Sequence, residues 1–138
     1  MKQEVFDLLL EFHQCLIRPK LTAATIESAK GILVNGETST GVNYSAKVLT
    51  DNLLNRGIDL SDFAQGNFEQ QCQIYGRAYK KKPSDGVFAA LGEVLSGSGI
   101  NASASKHGVN YQSVKSLKPR FERYSNYSAR LVELNWSK

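Results

Sequence analysis

Apolar residues recur at three- and four-residue spacing along most of the chain, which is the period of an amphipathic helix. The first such stretch spans residues 2–17 and ends before Pro19, because the residue preceding a proline avoids the helical region. A second stretch begins near Thr22, a residue type that often caps helices, and stops at Asn35-Gly36. The pattern therefore predicts two helices in the first quarter of the chain.

The dipeptide Asn35-Gly36 also allows a different interpretation, since Asn-Gly is a strong signal for the turn of a β-hairpin. The segment ILVNGETSTGV would then form two short strands. We favour the helix, because the preceding ATIESAKG favours helix and the later strand would be short and polar.

The middle of the chain predicts two further helices. Apolar spacing extends over residues 42–56, and Gly57 is expected to end that helix. Asp62 or Asn67 would cap the next helix, which continues to about Tyr79.

A charged segment stopped by a proline, residues 80–83, is a natural boundary. We therefore predict an N-terminal helical unit at residues 1–79 and a C-terminal unit at residues 80–138. A helix starting at Ser84 or Asp85 opens the second unit. The lysines of the boundary form either a solvated surface or a phosphate contact.

Residues 100–119, INASASKHGVNYQSVKSLKP, fit the twenty-position helix-turn-helix pattern without a gap. Ala104 falls where the first helix needs a small residue, and Gly108 falls at the tight turn. Val114 and Leu117 fall where the second helix must bury apolar side chains. This pattern predicts a DNA-binding motif whose second helix lies in the major groove.

The other side chains of this motif are polar or can form hydrogen bonds, as contact with bases and phosphates requires. Gln112 can pair with adenine through two hydrogen bonds, and lysines can reach guanine or phosphate. After Pro119, which begins a new helix or kinks the existing one, an apolar and aromatic stripe predicts a C-terminal helix. The residues predicted to contact DNA are Lys106, Asn110, Tyr111, Gln112, Ser113, Lys115, Ser116 and Lys118.

The tetrapeptide Gly-Val-Asn-Tyr occurs at residues 41–44 and again at 108–111, each time after a helix-like segment and a glycine-containing break. Such a repetition indicates two copies of one helical unit. The first copy is degenerate in either of two alignments. If its turn is at Gly41, the leading helix is too short.

In the other alignment, residues 42–47 and 50–56 are the two helices, and Lys47 stands where the turn prefers glycine. The first copy is then either a core or dimerisation unit or a second DNA-reading element. In the latter case Tyr44, Ser45 and Lys47 would contact DNA.

Composition is compatible with this interpretation. The 138 residues carry a net charge of +4, which permits nucleic-acid binding without proving it. Enzyme chemistry has little support, because the chain lacks a glycine-rich phosphate loop and its histidines, His13 and His107, have no obvious nucleophile. Cys15 and Cys72 are expected to be free, half-buried thiols, so neither a metal nor a cofactor is predicted. The N-terminal segment reads as neither a signal peptide nor a membrane span, which indicates a cytoplasmic protein.

Two stretches carry a resemblance to known families. TIESAKGILVNG resembles the segment that opens the DNA-binding domain of TrfB/KorA-type plasmid repressors, and the second half, from VFAALGEVLSGSG through SKHGVNYQSVKSLKPRFERYSNYSARL, is similar to PapB-type fimbrial regulators. The resemblance covers residues 22–56 and 84–131. It implies an all-helical regulator that binds its operator as a dimer or larger assembly, with DNA contacts from Asn110, Tyr111, Gln112, Ser113, Lys115 and Lys118.

We therefore expect an all-α protein with two tandem units containing helix-turn-helix motifs, the first degenerate, followed by a C-terminal helix. The expected function is sequence-specific DNA binding in transcriptional regulation, of the repressor type. The alternatives are a plasmid or phage accessory DNA-binding protein, or a helical protein-interaction module without DNA binding. The expected partner is double-stranded DNA, bound by a homodimer or by an intramolecular pseudo-dimer, with no membrane involved.

Overall fold

A computed structural model describes residues 1–17, 19–79 and 81–137 of the protein. These residues form seven helices and no strand, so the all-helical prediction is confirmed and the hairpin at Asn35-Gly36 is excluded. The predicted tandem arrangement of two helix-turn-helix motifs is not confirmed. The helices are α1 (Gln3–Ile17), α2 (Ala23–Leu33), α3 (Tyr44–Gln65), α4 (Phe68–Ala78), α5 (Asp85–Leu95), α6 (Ile100–Lys106) and α7 (Tyr111–Glu133).

Three of the predicted helix starts have the expected side-chain caps. The Thr22 hydroxyl accepts a hydrogen bond from the Thr25 amide at 3.1 Å, and Ser84 caps α5 in the same way. Asn67, rather than Asp62, caps α4, and it forms a reciprocal capping box with Gln70. Each cap satisfies an amide that the first helical turn leaves without a partner.

Gly57 does not end a helix, contrary to the sequence prediction. It lies inside α3 and is buried, and a Cβ added there would come within 2.7 Å of the Trp136 ring. The glycine is needed for this close approach of the indole. Partial burial of the Trp136 indole offsets the roughly 1 kcal/mol that glycine costs inside a helix.

Pro119 does not begin a new helix either, because α7 continues through it. Val114 and Leu117 before the proline and Phe121 and Tyr124 after it are all buried. Their spacing keeps one helical phase across Pro119, and burial of this continuous stripe outweighs the backbone hydrogen bond that proline cannot donate.

The chain forms two compact units whose limits differ from the predicted division between residues 79 and 80. The first comprises residues 1–62 and 127–138, and the second comprises residues 63–126. The reason is that α3 and α7 are each longer than their sequence signals suggested. Both unit boundaries consequently fall inside helices rather than in a loop.

The first unit has an aliphatic and aromatic core. Its buried side chains include Phe6, Leu9, Phe12, Leu49, Leu53 and Leu60. The Phe12 ring lies 5.1 Å from the Tyr127 ring, and the Ser128 hydroxyl donates to the Leu60 carbonyl at 2.5 Å.

The second unit is built around clustered aromatic rings. The Phe121 ring centroid lies 5.4 Å from Phe63, 5.7 Å from Phe68 and 5.5 Å from Tyr75. The Tyr75 ring also meets Phe88 edge to face at 6.2 Å. Rings at these distances and tilts stabilise a core beyond the area that they bury.

Each cysteine is a free thiol, as predicted. Cys72 is buried, and burial raises its pKa to about 11. Cys15 is exposed rather than half-buried, with its sulfur 3.5 Å from the Tyr127 hydroxyl. Within the described ranges, no group of three or more His, Cys, Asp or Glu residues could hold a metal ion. No helix in the same ranges is long and apolar enough to cross a membrane.

His13 is fully buried in the first unit, where its Nδ1 accepts a hydrogen bond from Nε of Arg56 at 3.3 Å. Burial, and then the neighbouring guanidinium charge, lower the pKa of His13 from 6.5 to about 4. The folded protein therefore keeps the imidazole neutral, whereas the unfolded chain protonates it below pH 6.5. Stability from this group is present at neutral pH and is lost as the pH falls toward 4.

We expect the free energy of unfolding to fall by about 2 kcal/mol between pH 7 and pH 5 because of His13 alone. Urea unfolding measured at several pH values in this range checks the slope. The variant His13→Gln, which cannot titrate, should show a flatter dependence. An equal slope in the variant would mean that another group is responsible.

Candidate nucleic-acid interface

A helix, a tight turn and a second helix occupy the segment that matched the helix-turn-helix pattern. After α6 ends at Lys106, Gly108 adopts a φ of +62°, a left-handed conformation that favours glycine. The Val109 amide then donates to the Ala104 carbonyl at 3.0 Å. This 6→1 hydrogen bond closes the turn before α7 begins at Tyr111.

The small and apolar positions of the pattern are buried as expected. Ala104, Val114 and Leu117 are each at most 2% exposed, and α5 packs against α6. Val109 is close to α5 as well, because a Cβ on Gly86 would lie 2.9 Å from its side chain. These contacts bury one side of the start of α7. The opposite side of the helix remains available for a binding partner.

The start of α7 is set by Asn110. Its side-chain oxygen accepts a hydrogen bond from the Gln112 amide at 2.7 Å, and its carbonyl accepts from the Ser113 amide. Asn110 was predicted to contact DNA, but its oxygen acts as a helix cap. Its amide NH₂ can serve a further partner.

Four predicted contact residues, Gln112, Ser113, Lys115 and Ser116, are exposed on the first turns of α7. Tyr111, which was also predicted to contact DNA, is half-buried, and the Lys115 ammonium lies 5.6 Å from its ring centroid. This cation–π contact holds the lysine near the helix start while leaving its charge in solvent.

Two basic residues that the sequence analysis did not select extend this surface. Arg120 and Arg123 are exposed, and Nε of Arg120 donates to the Ser116 carbonyl at 3.1 Å. They were missed because Pro119 was taken as the end of the motif. The apolar phase that continues from Leu117 to Phe121 is the sequence signal that could have included them. We call Gln112, Ser113, Lys115, Ser116, Lys118, Arg120 and Arg123 the α7 basic face.

Two lysines of the predicted interface already have acidic partners. Lys118 pairs with Glu122 at 2.7 Å, one helical turn away. Lys106 pairs with Glu93 of α5 at 2.5 Å, and Nε2 of His107 lies 3.1 Å from the other oxygen of Glu93. The hydrogen bond from Lys106 is the main cause that lowers the pKa of Glu93. Both pairs are solvent-accessible, and exposed ion pairs are weak enough to exchange for phosphate.

Basic residues are unevenly distributed between the two units. By sequence, residues 63–126 contain nine Lys and Arg against four Asp and Glu. Residues 1–62 and 127–138 together contain eight against nine. The positive excess of the protein therefore belongs to the unit that carries the α7 basic face. In that unit Lys81 and Lys82 are exposed, whereas Lys80 lies outside the described residues.

The first Gly-Val-Asn-Tyr sequence forms the same local structure as the second. Gly41 has a φ of +81°, the Asn43 side-chain oxygen accepts from the Ala46 amide at 2.8 Å, and Tyr44 is the first residue of α3. The repeated tetrapeptide is thus a helix-start module, with a left-handed glycine and an asparagine cap.

The two copies differ in what precedes that module. Residues 36–41 contain no helix, so the first copy lacks a counterpart of α6. The alternative alignment with a turn at Lys47 is wrong, because Lys47 lies inside α3.

The three residues predicted to contact DNA from the first copy, Tyr44, Ser45 and Lys47, are all exposed. They are accompanied by exposed Val48 and Asp51, so this surface has no excess of positive charge.

No family model, curated protein or solved structure matches this chain. The resemblance to TrfB/KorA-type and PapB-type regulators therefore stays a prediction.

Proposed function

We propose that the protein is a sequence-specific DNA-binding regulator of transcription, a repressor that acts by occupying its operator, and not an enzyme. The observation that carries the proposal is the α7 basic face, which begins directly after the Gly108 turn on a buried support. On this proposal the protein acts in the cytoplasm, where its DNA is.

Two kinds of DNA contact would form along α7, one to bases and one to phosphates. Gln112, exposed in the first turn, has the donor and acceptor needed to bind an adenine edge in the major groove. Farther along, Lys115, Lys118, Arg120 and Arg123 supply positive charge for phosphates or guanine edges. Phosphate contacts would set the position of the helix, and Gln112 would supply specificity.

The uneven distribution of charge between the two units also supports DNA binding by the second unit. A unit with nine basic and four acidic residues attracts a polyanion over a distance that depends on salt. The ion pairs Lys118–Glu122 and Lys106–Glu93 are no obstacle, because exposed pairs contribute only about 0–1 kcal/mol.

Selection of bound sequences from a random double-stranded DNA pool tests the proposal. We expect one motif to be enriched, and its affinity to fall steeply with salt. If the four basic residues of the α7 basic face each neutralise one phosphate, log K should fall with log salt at a slope of about −4. No enrichment, together with no binding at low salt, would overturn the proposal.

A second candidate is a helical protein-interaction module that does not bind DNA. It is favoured by a different surface, the exposed apolar side chains Ile17, Tyr44 and Val48 of the first unit. Capture of a protein partner without any DNA binding at low salt would select this candidate over the first.

A further inference from the structure

The first unit contains a small groove that is lined by residues of α1, of the segment after α1, and of the first turns of α3. Its volume is about 240 Å³. At the roughly 30 Å³ that one water occupies in the liquid, this volume has room for about eight non-hydrogen atoms. A stable protein contact covers about 800 Å² on each partner, so a groove of this size suits a small molecule better than a protein.

The lining of the groove is mainly apolar. Ile17, Leu21, Val48 and Leu49 contribute aliphatic side chains, of which Ile17 is 50% exposed and Val48 is 37% exposed. Among the described residues that line the groove, Lys20 is the one charged group. Ligand sites commonly combine apolar walls with a few polar groups that orient the ligand. These walls and this charge favour a ligand with an apolar body and a negative charge.

His13 adds a buried hydrogen-bond donor to the lining. Its side chain is 1% exposed, and its Nδ1 accepts a hydrogen bond from Nε of Arg56, a residue type whose guanidinium can only donate. Burial lowers the pKa of His13 to about 4, so the ring is neutral at neutral pH. A neutral imidazole whose Nδ1 is an acceptor carries its proton on Nε2.

This Nε2–H donor has no acceptor among the residues that the structure describes. A buried donor without an acceptor is unfavourable, and such groups are rare in folded proteins. Because His13 lines the groove, a molecule bound there can supply the acceptor. A carboxylate has two acceptor oxygens, and its charge complements the Lys20 ammonium.

We propose that this groove binds a small carboxylate with an apolar body, of about the size of hexanoate. One carboxylate oxygen accepts the hydrogen bond from Nε2 of His13, and the negative charge faces Lys20. The apolar body packs against Ile17, Leu21 and Val48, which line the groove. Such a ligand satisfies the buried donor and covers apolar side chains that the free protein exposes.

Titration of the whole ¹⁵N-labelled protein with hexanoate at neutral pH tests the inference by nuclear magnetic resonance. We expect a Kd of about 1 mM or lower, which is ordinary for a ligand of this size, with shifts of the Tyr44, Ser45 and Val48 amides. A long-range proton–nitrogen spectrum should show the Nε2–H tautomer of His13 and a shift of Nε2 as hexanoate is added. The second histidine, His107, should not move. No binding, or an unmoved His13 ring, would overturn the inference.

Two other compounds with the same apolar chain test whether the carboxylate is recognised. Hexylamine carries a positive charge in its place, and hexanol carries none. Both should bind at least tenfold more weakly, because neither can receive a charge-assisted hydrogen bond from the buried donor. Equal affinity for hexanol and hexanoate would mean that the groove selects only an apolar chain, which would overturn the assignment of a carboxylate.

The variant Lys20→Gln tests the charge of the groove. It should raise the Kd for hexanoate about threefold to fivefold, as expected for one exposed charge, and leave the fold intact. Lys47→Gln is the matched control, because it removes the same charge from an exposed position of α3 that is not among the lining residues. Equal Kd values for the two variants would contradict the role of Lys20.

A second variant, Val48→Glu, places a carboxylate at an exposed position of the lining and should abolish hexanoate binding by repulsion. Undiminished binding to a folded Val48→Glu protein would move the site away from this groove and overturn the inference. All residues of the site belong to the first unit, so these outcomes do not depend on DNA binding by α7.

Discussion

Replacing Gln112 and Lys115 together by alanine is expected to weaken binding to the selected DNA roughly 30- to 1,000-fold, which corresponds to about 2–4 kcal/mol. Both side chains are exposed on the first turns of α7, and the Lys115 ammonium lies 5.6 Å from the Tyr111 ring centroid. Removing Gln112 would take away the base-reading contact, and removing Lys115 would take away one charge. Fluorescence anisotropy with the selected duplex at fixed salt measures the loss.

The fold should survive this double change, because neither side chain is part of the core and alanine is a good helix former. Far-ultraviolet circular dichroism should therefore be unchanged. The matched control is Gln14→Ala with Lys30→Ala, which removes the same residue types and the same charge from α1 and α2 of the first unit. If the Gln112 and Lys115 variant binds as tightly as this control, α7 is not the reading helix.

Truncation of Phe121 to alanine is expected to lower the free energy of unfolding by about 3–5 kcal/mol. Its ring is 3% exposed and is surrounded by the rings of Phe63, Phe68 and Tyr75 at 5.4–5.7 Å. The change would remove a large apolar side chain and leave a cavity that neighbouring rings cannot fill by small shifts. Urea unfolding followed by circular dichroism measures the effect.

Leu95→Ala is the matched control for the loss of a large apolar side chain in the same unit. Leu95 is the last residue of α5 and is 42% exposed, so its truncation should cost less than about 1 kcal/mol. Similar losses in the two variants would contradict the central role of Phe121 in the aromatic core.

Local signals in the sequence were sufficient for three of the seven helix starts in the described part of the chain. Thr22, Asn67 and Ser84 bond to amides within three residues of themselves, so their role does not depend on the remainder of the fold. Gly108 likewise closes its turn through bonds between neighbouring residues. The burial of Val114 and Leu117 followed from their spacing alone, because helical phase determines which side of α7 can face a core.

The same local rules gave wrong helix limits where contacts with distant residues stabilised a longer helix. Gly57 has the sequence signature of a helix end, but Trp136, far along the chain, packs against it and the helix continues. Pro119 was expected to begin a new helix or to kink the existing one, but α7 continues through it and the apolar stripe on both of its sides is buried as one face. In each case a local cost of a few kcal/mol or less is outweighed by burial that only the folded chain provides.

The sequence by itself therefore determined the helical class, the caps, the turn at Gly108 and the exposed polar residues at the start of α7. Each of these depends on residues that are neighbours in the chain or along one helix. Only the tertiary structure decided the extent of α3 and α7, the division of the basic charge between two units and the gathering of Ile17, Tyr44 and Val48 around one groove. Those features depend on contacts between distant segments, and burial in such contacts is not encoded in any short stretch of sequence.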